Sequence, residues 1–180
     1  AGGCIGSSIV MSERASIIAR NVSSQTLGGA LAGGYPKQYL VVGGNATIDI
    51  DRSSCGIYGG GLFFWENMTF GNGAFHVQIK NTAAPCGSAM ASLGPEGLPG
   101  DGNVFFDDSD GGQLVVENAK ELNASKGCIA IQANLLSGTP TKRGPIIPQP
   151  CGKGCSVGNL PTSCQCSSKK GSFVECCSKS

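Results

Sequence analysis

The residues in this chain best equipped for chemistry are its ten cysteines. Six of them, Cys151, Cys155, Cys164, Cys166, Cys176 and Cys177, crowd the C-terminal end, while Cys4, Cys55, Cys86 and Cys128 are dispersed. The crowded set is spaced Cys-x3-Cys-x8-Cys-x-Cys-x9-Cys-Cys with no histidine among it, which matches no tetrahedral zinc pattern. Three disulfides are expected there, with fifteen connectivities open. So many cysteines point to an oxidising compartment. Asn21-Val-Ser, Asn45-Ala-Thr, Asn67-Met-Thr and Asn123-Ala-Ser are N-glycosylation sequons, and together with the cysteines they predict a secreted glycoprotein.

Acid–base or metal chemistry would fall to the aspartates. Asp49 and Asp51 share one side of an alternating stretch, and Asp107, Asp108 and Asp110 cluster in Phe-Phe-Asp-Asp-Ser-Asp. A carboxylate pair can hydrolyse a glycoside, and a carboxylate cluster can hold Ca²⁺. The pair reads instead as solvated acids on an outward strand face, and the cluster runs into Gly111-Gly112 as turn chemistry. The sole histidine, His76, has no acidic companion nearby in sequence. Trp65 directly follows Leu62-Phe63-Phe64, so it reads as a core residue rather than a sugar platform. No catalytic residue, metal or cofactor is expected.

The elements that must carry these residues are short strands. Leu62-Phe63-Phe64-Trp65 is an apolar run of the kind covered on both faces, and Phe75-His-Val-Gln-Ile-Lys80 alternates like a strand covered on one. Ile57, Phe64, Val77, Ile79 and Leu114 are the expected core; Glu66, His76, Gln78 and Lys80 are expected outside. A frame of two small residues and a trailing apolar one recurs at Gly3, Gly29, Gly56, Gly87 and Gly127, in steps of 26, 27, 31 and 40. A second frame, an apolar residue with Asn or Asp three places on, appears at Ile18–Asn21, Ile48–Asp51, Phe64–Asn67 and Val115–Asn118. Repeats of this length mark solenoids, and a glycine-rich repeat without helical period marks a β-solenoid. Stacked coils about 4.8 Å apart would bring Cys55 and Cys86 into disulfide range, so that pair is expected.

Gly28-Gly29-Ala30-Leu31 and Phe64-Trp65-Glu66-Asn67 resemble the Gly-Gly-Ala-Ile and Phe-x-x-Asn motifs of the chlamydial polymorphic outer-membrane protein repeats. The resemblance covers residues 1–135 and implies a right-handed parallel β-helix in a surface protein.

The domain plan is a β-helix of about five coils over 1–136, a proline-rich linker over 137–150 and a cysteine-rich module over 151–180. Leu93–Gly102 is a Gly/Pro surface loop inside the first of these. Net charge is +1 and charged residues are 14 %, which leaves no basic stripe for nucleic acid. No apolar run is long enough for a helical membrane span. The opening Ala-Gly-Gly-Cys lacks a leader pattern, so the chain reads as a mature or excised segment. The predicted role is structural: an extracellular subunit of a surface layer, wall or filament that associates with itself head to tail and carries N-linked glycans. Cys4 is expected either to lock neighbouring copies or to pair with the chain's own tail. A carbohydrate-active enzyme or lectin on the same scaffold is the alternative, and an all-β sandwich with hairpin glycines is a third architecture.

Overall fold

The computed structural model describes residues 8–34, 38–94, 97, 102–107, 110–123, 128–139, 142–146, 164–169 and 172–178. All regular structure among them is β, and none of them is helical. The chain visits three sheets in a fixed rotation. The first round comprises Ile9–Met11 (β1), Ser16–Ser24 (β2) and Leu31–Gly33 (β3); the second comprises Leu40–Val42 (β4), Ala46–Cys55 (β5) and Leu62–Phe64 (β6). The third is Asn67–Phe70 (β7), Phe75–Lys80 (β8) with Ala83–Ala84 (β9), and Met90–Ser92 (β10). The fourth is Asn103–Phe106 (β11), Gln113–Glu117 (β12) with Lys120–Glu121 (β13), and Ile131–Gln132 (β14). Asn134–Thr139 (β15) opens a fifth. Equivalent strands of successive rounds pair in parallel, as in β4 with β7, β5 with β8 and β3 with β6.

Local sequence explains each strand. In β8 the alternate apolar positions Phe75, Val77 and Ile79 are buried while His76 between them is exposed and Gln78 and Lys80 are half-buried. Glu66 is also half-buried, so of the four residues expected outside only His76 is fully exposed. In β6 all three residues are buried. Leu62 and Phe64 join a core fed by all three sheets, with Leu40, Phe70, Ile48, Ile79 and Met90 among its members. Phe63 belongs to a second cluster with Ala32, Ala91 and Leu93, against which Trp65 and Tyr58 pack. Burying each large side chain this way contributes about 1.5–3 kcal/mol. Phe70 stacks on Phe106, its register partner one round on, with ring centroids 4.7 Å apart, and Phe75 leans on both.

The corner entering the third sheet differs from the expected one. Gly28-Gly29-Ala30-Leu31 stacks on Gly59-Gly60-Gly61-Leu62, and these on Gly87-Ser88-Ala89-Met90. The second-round corner is thus three residues beyond Cys55-Gly56. Gly59 supplies the left-handed φ of 75°, matching 57° at Gly28, and a Cβ on Gly29 would overlap the carbonyl of Gly60. Gly56 has no positive φ, and Ile57, expected in the core, is 41 % exposed. The shift also moves the cysteines. Cys86 stands level with Tyr58, not with Cys55, and is bonded to Cys128. The expected Cys55–Cys86 bridge is replaced by Cys86–Cys128, and Cys55 remains a buried thiol.

The C-terminal strands run antiparallel. Lys142–Ile146 (β16) pairs with β15 at the end of the first sheet. Cys164–Lys169 (β17) adds to β12 at the end of the second, and Ser172–Ser178 (β18) adds to β17. β15 runs past residue 136 and β16 lies within the proline-rich stretch, so strand continues where an extended linker was expected.

Candidate functional site

The second sheet carries the most organised polar surface. In each of the four rounds this sheet turns at one residue in the left-handed region: Asn21 (φ 53°) within β2, Arg52 (57°) within β5, Asn81 (53°) between β8 and β9, and Asn118 (49°) between β12 and β13. Flanking pairs place these four in one row across the rounds. Asn tolerates this conformation better than other non-glycine residues, which explains three of the four. Asn21 and Asn118 were visible in the apolar-x-x-Asn frame. Asp51 precedes the row by one residue, and Asn67 heads β7 in another row, paired with Asn103 and through it with Asn134.

Just before the bend, the outward residues Arg20, Asp51, Lys80 and Glu117 form a row of alternating charge. Arg20 is ion-paired with Asp49 and donates to its carbonyl at 2.7 Å. Arg52 meets Asp51 at 3.0 Å, and Lys80 meets Glu117 at 3.6 Å. Asn118 donates its side-chain amide to Asn81 Oδ1 at 2.7 Å, and Asn81 donates to Asp51 Oδ1 at 2.7 Å. That last bond, aided by the Arg52 and Arg20 charges against a smaller opposing cost of burial, holds the Asp51 carboxyl below the usual range. Asp49 and Asp51 are thereby occupied by cations and amides, an arrangement that orders a surface. No sequence periodicity pointed to the partners Arg20, Lys80, Asn81 and Glu117, because they are about thirty residues apart.

At the start of the same sheet lies an open groove of about 220 Å³ lined by Asn45, Ala74, Phe75, His76, Gly111 and Gln113. His76 stands between Thr47 and Gln113 in register. Asp107 is half-buried after β11 and Asp110 is exposed in the turn beside Gly111; Asp108 lies outside the described residues. Among the described residues, no group of three or more His, Cys, Asp or Glu side chains could hold a metal ion.

Inside the sheet, Cys55 is buried and has its thiol pushed up, first by burial and further by the Glu121 charge, against opposing N–H groups of Ile57 and Gly28. The thiolate is the reactive form, so this thiol is inert in the folded chain. Burial also pushes up Glu121, whose Oε1 accepts the Ser88 N–H.

No family model, curated protein or solved structure matches this chain. Its chemistry therefore rests on its own geometry. The sequons are spread over it unequally. Asn21 and Asn45 are exposed, on or beside the second sheet. Asn67 is half-buried and accepts a hydrogen bond from Asn103 at 3.3 Å; Asn123 is half-buried with its N–H donating to the Pro85 carbonyl. Cys4, Cys151 and Cys155 lie outside the described residues. Cys164 and Cys166 fall on β17, Cys176 and Cys177 on β18, and the register sets Cys166 opposite Cys176.

Proposed function

We propose that the chain is a structural subunit of an extracellular layer, wall or filament, a glycoprotein that associates with itself and whose body is a short right-handed parallel β-helix. One observation carries this reading. All three sheets end together on the first round, where β1, β2 and β3 each have a strand on one side only among the described residues. An edge of this kind presents unpaired N–H and C=O groups to any added strand. Val10 and Ile18 on that round are 64 % and 68 % exposed. The other end of the first and second sheets is covered by antiparallel strands. Unlike ends favour a head-to-tail contact, which propagates instead of closing. The resemblance to polymorphic outer-membrane protein repeats favours the same surface role.

Sedimentation velocity over a wide concentration range, with negative-stain microscopy of the same samples, tests the reading. The expected result is a series of growing species that become fibres or sheets. A monomer at every concentration would overturn it. The second reading, a lectin or carbohydrate-active protein, draws on the groove around His76 and Gln113. Glycan-array binding that disappears in His76→Ala would favour it.

A further inference from the structure

We propose that N-glycosylation of Asn21 gates assembly through the first-round edge of the second sheet, where β2 is the outermost described strand. The inference rests on the self-association reading and adds its regulation. Asn21 lies on β2, which has a described partner strand only on the β5 side. It is exposed, it heads the sequon Asn21-Val22-Ser23, and Ser23 is exposed as well. Its φ of 53° places it at the bend of the strand. In the two later rounds the equivalent amides of Asn81 and Asn118 each donate toward the preceding round. Asn21 is the outermost described member of that row, so the same direction leads from it to the open edge.

The modification is a group transfer from a polyprenyl-diphosphate-linked oligosaccharide. The bond between the sugar C1 and the diphosphate oxygen breaks, C1 bonds to Asn21 Nδ2, and one amide proton leaves with the released diphosphate. A glycan there occupies the level that an added strand needs, about 4.8 Å beyond β2. It would protect the edge as charges and prolines do elsewhere. The glycosylated chain stays apart and the unmodified chain assembles. Asn45 is also exposed but stands before β5, one round inside the edge, so a glycan there leaves assembly unchanged.

The test uses the full chain secreted from a glycosylating eukaryotic host. Glycopeptide mass spectrometry reads occupancy at Asn21, and sedimentation velocity reads assembly. Ser23→Ala removes the sequon while keeping Asn21 at its bend. Thr47→Ala, which removes the Asn45 sequon while keeping Asn45 at its left-handed φ of 65°, is the control, and enzymatic removal of glycans from the wild type is an independent second arm. Ser23→Ala and the deglycosylated wild type are expected to assemble at a concentration about tenfold lower than the glycosylated wild type. Thr47→Ala is expected to behave like the wild type. An unmodified Asn21, or equal assembly of wild type and Ser23→Ala, overturns the gate while leaving self-association standing. Monomers in every form, deglycosylated chain included, overturn both.

Discussion

Cys55 and Glu121 show how burial shifts ionisable groups towards their neutral forms. Cys55 is 7 % exposed, and its thiol is held protonated by desolvation. Alkylation of the native chain at neutral pH should leave Cys55 unmodified, and denaturant should expose it; peptide mass spectrometry reads both. Modification of native Cys55 would show that the corner around it opens. Glu121 has its folded value raised by burial above an unfolded value of about 4.3. Its contribution to stability is therefore complete below that unfolded value and is lost as pH rises through the raised folded one. Urea titrations between acid and neutral pH should show this fall in the wild type and a flatter profile in Glu121→Gln. Asp51 has the opposite sign. Its lowered folded value contributes stability above about 3.9 that is lost as pH falls through the folded value, and Asn81→Ala should weaken that acid dependence.

Each element depends on a single residue type at one place. Each of the four rounds of the second sheet turns at a left-handed residue, and Asn81, between β8 and β9, both adopts that conformation and links Asp51 to Asn118. Replacing it with Ala should cost about 1–3 kcal/mol, from the strained backbone and two lost side-chain bonds. The corner into the third sheet depends on Gly29, where a Cβ would overlap the Gly60 carbonyl. Gly29→Ala is expected to destabilise more than the ordinary gain from a stiffer unfolded chain can offset. Phe64 is fully buried in the main core. Phe64→Ala should cost about 3–5 kcal/mol in equilibrium urea unfolding. A loss below about 1 kcal/mol would mean that the third sheet does not face this core.

At the scale of the whole molecule, the middle of the described rounds is better covered than the first. β5 and β8 have parallel neighbours on both sides, while β1, β2 and β3 have one each among the described residues. Ile9, Ile17 and Val22 of that first round are only partly buried against the core. Native-state hydrogen exchange should rank the rounds accordingly, with amides of Ile48, Ile50, Val77 and Ile79 slowest and those of β2 fastest among the long strands. Uniform protection from β2 to β12 would mean that the first round is covered in solution. The Cys86–Cys128 bridge ties the third round to the fourth across 42 residues, and Cys128→Ser should cost about 2–4 kcal/mol.

The sequence by itself determined the β class, the two-sided burial of Leu62–Phe64 and the alternating burial of Phe75, Val77 and Ile79. Those features depend on side chains two or three positions apart, where strand geometry acts directly. It also marked Gly28-Gly29-Ala30-Leu31 as a recurring frame, whose small residues sit where closely approaching backbones leave no room for a Cβ. The registers between rounds were decided only by the tertiary structure. Leu31, Leu62, Met90 and Ile131 stack in steps of 31, 28 and 41, because the connections between strands differ in length from round to round. The shared Cys-Gly frame therefore put Cys55 level with Cys86, whereas stacking put Tyr58 there and sent Cys86 to Cys128. The same stacking assembled the Arg20–Asp51–Lys80–Glu117 row and put Asn21 on the outermost described strand of its sheet. Parallel pairing makes neighbours of residues about thirty apart, and only the folded chain sets which ones meet.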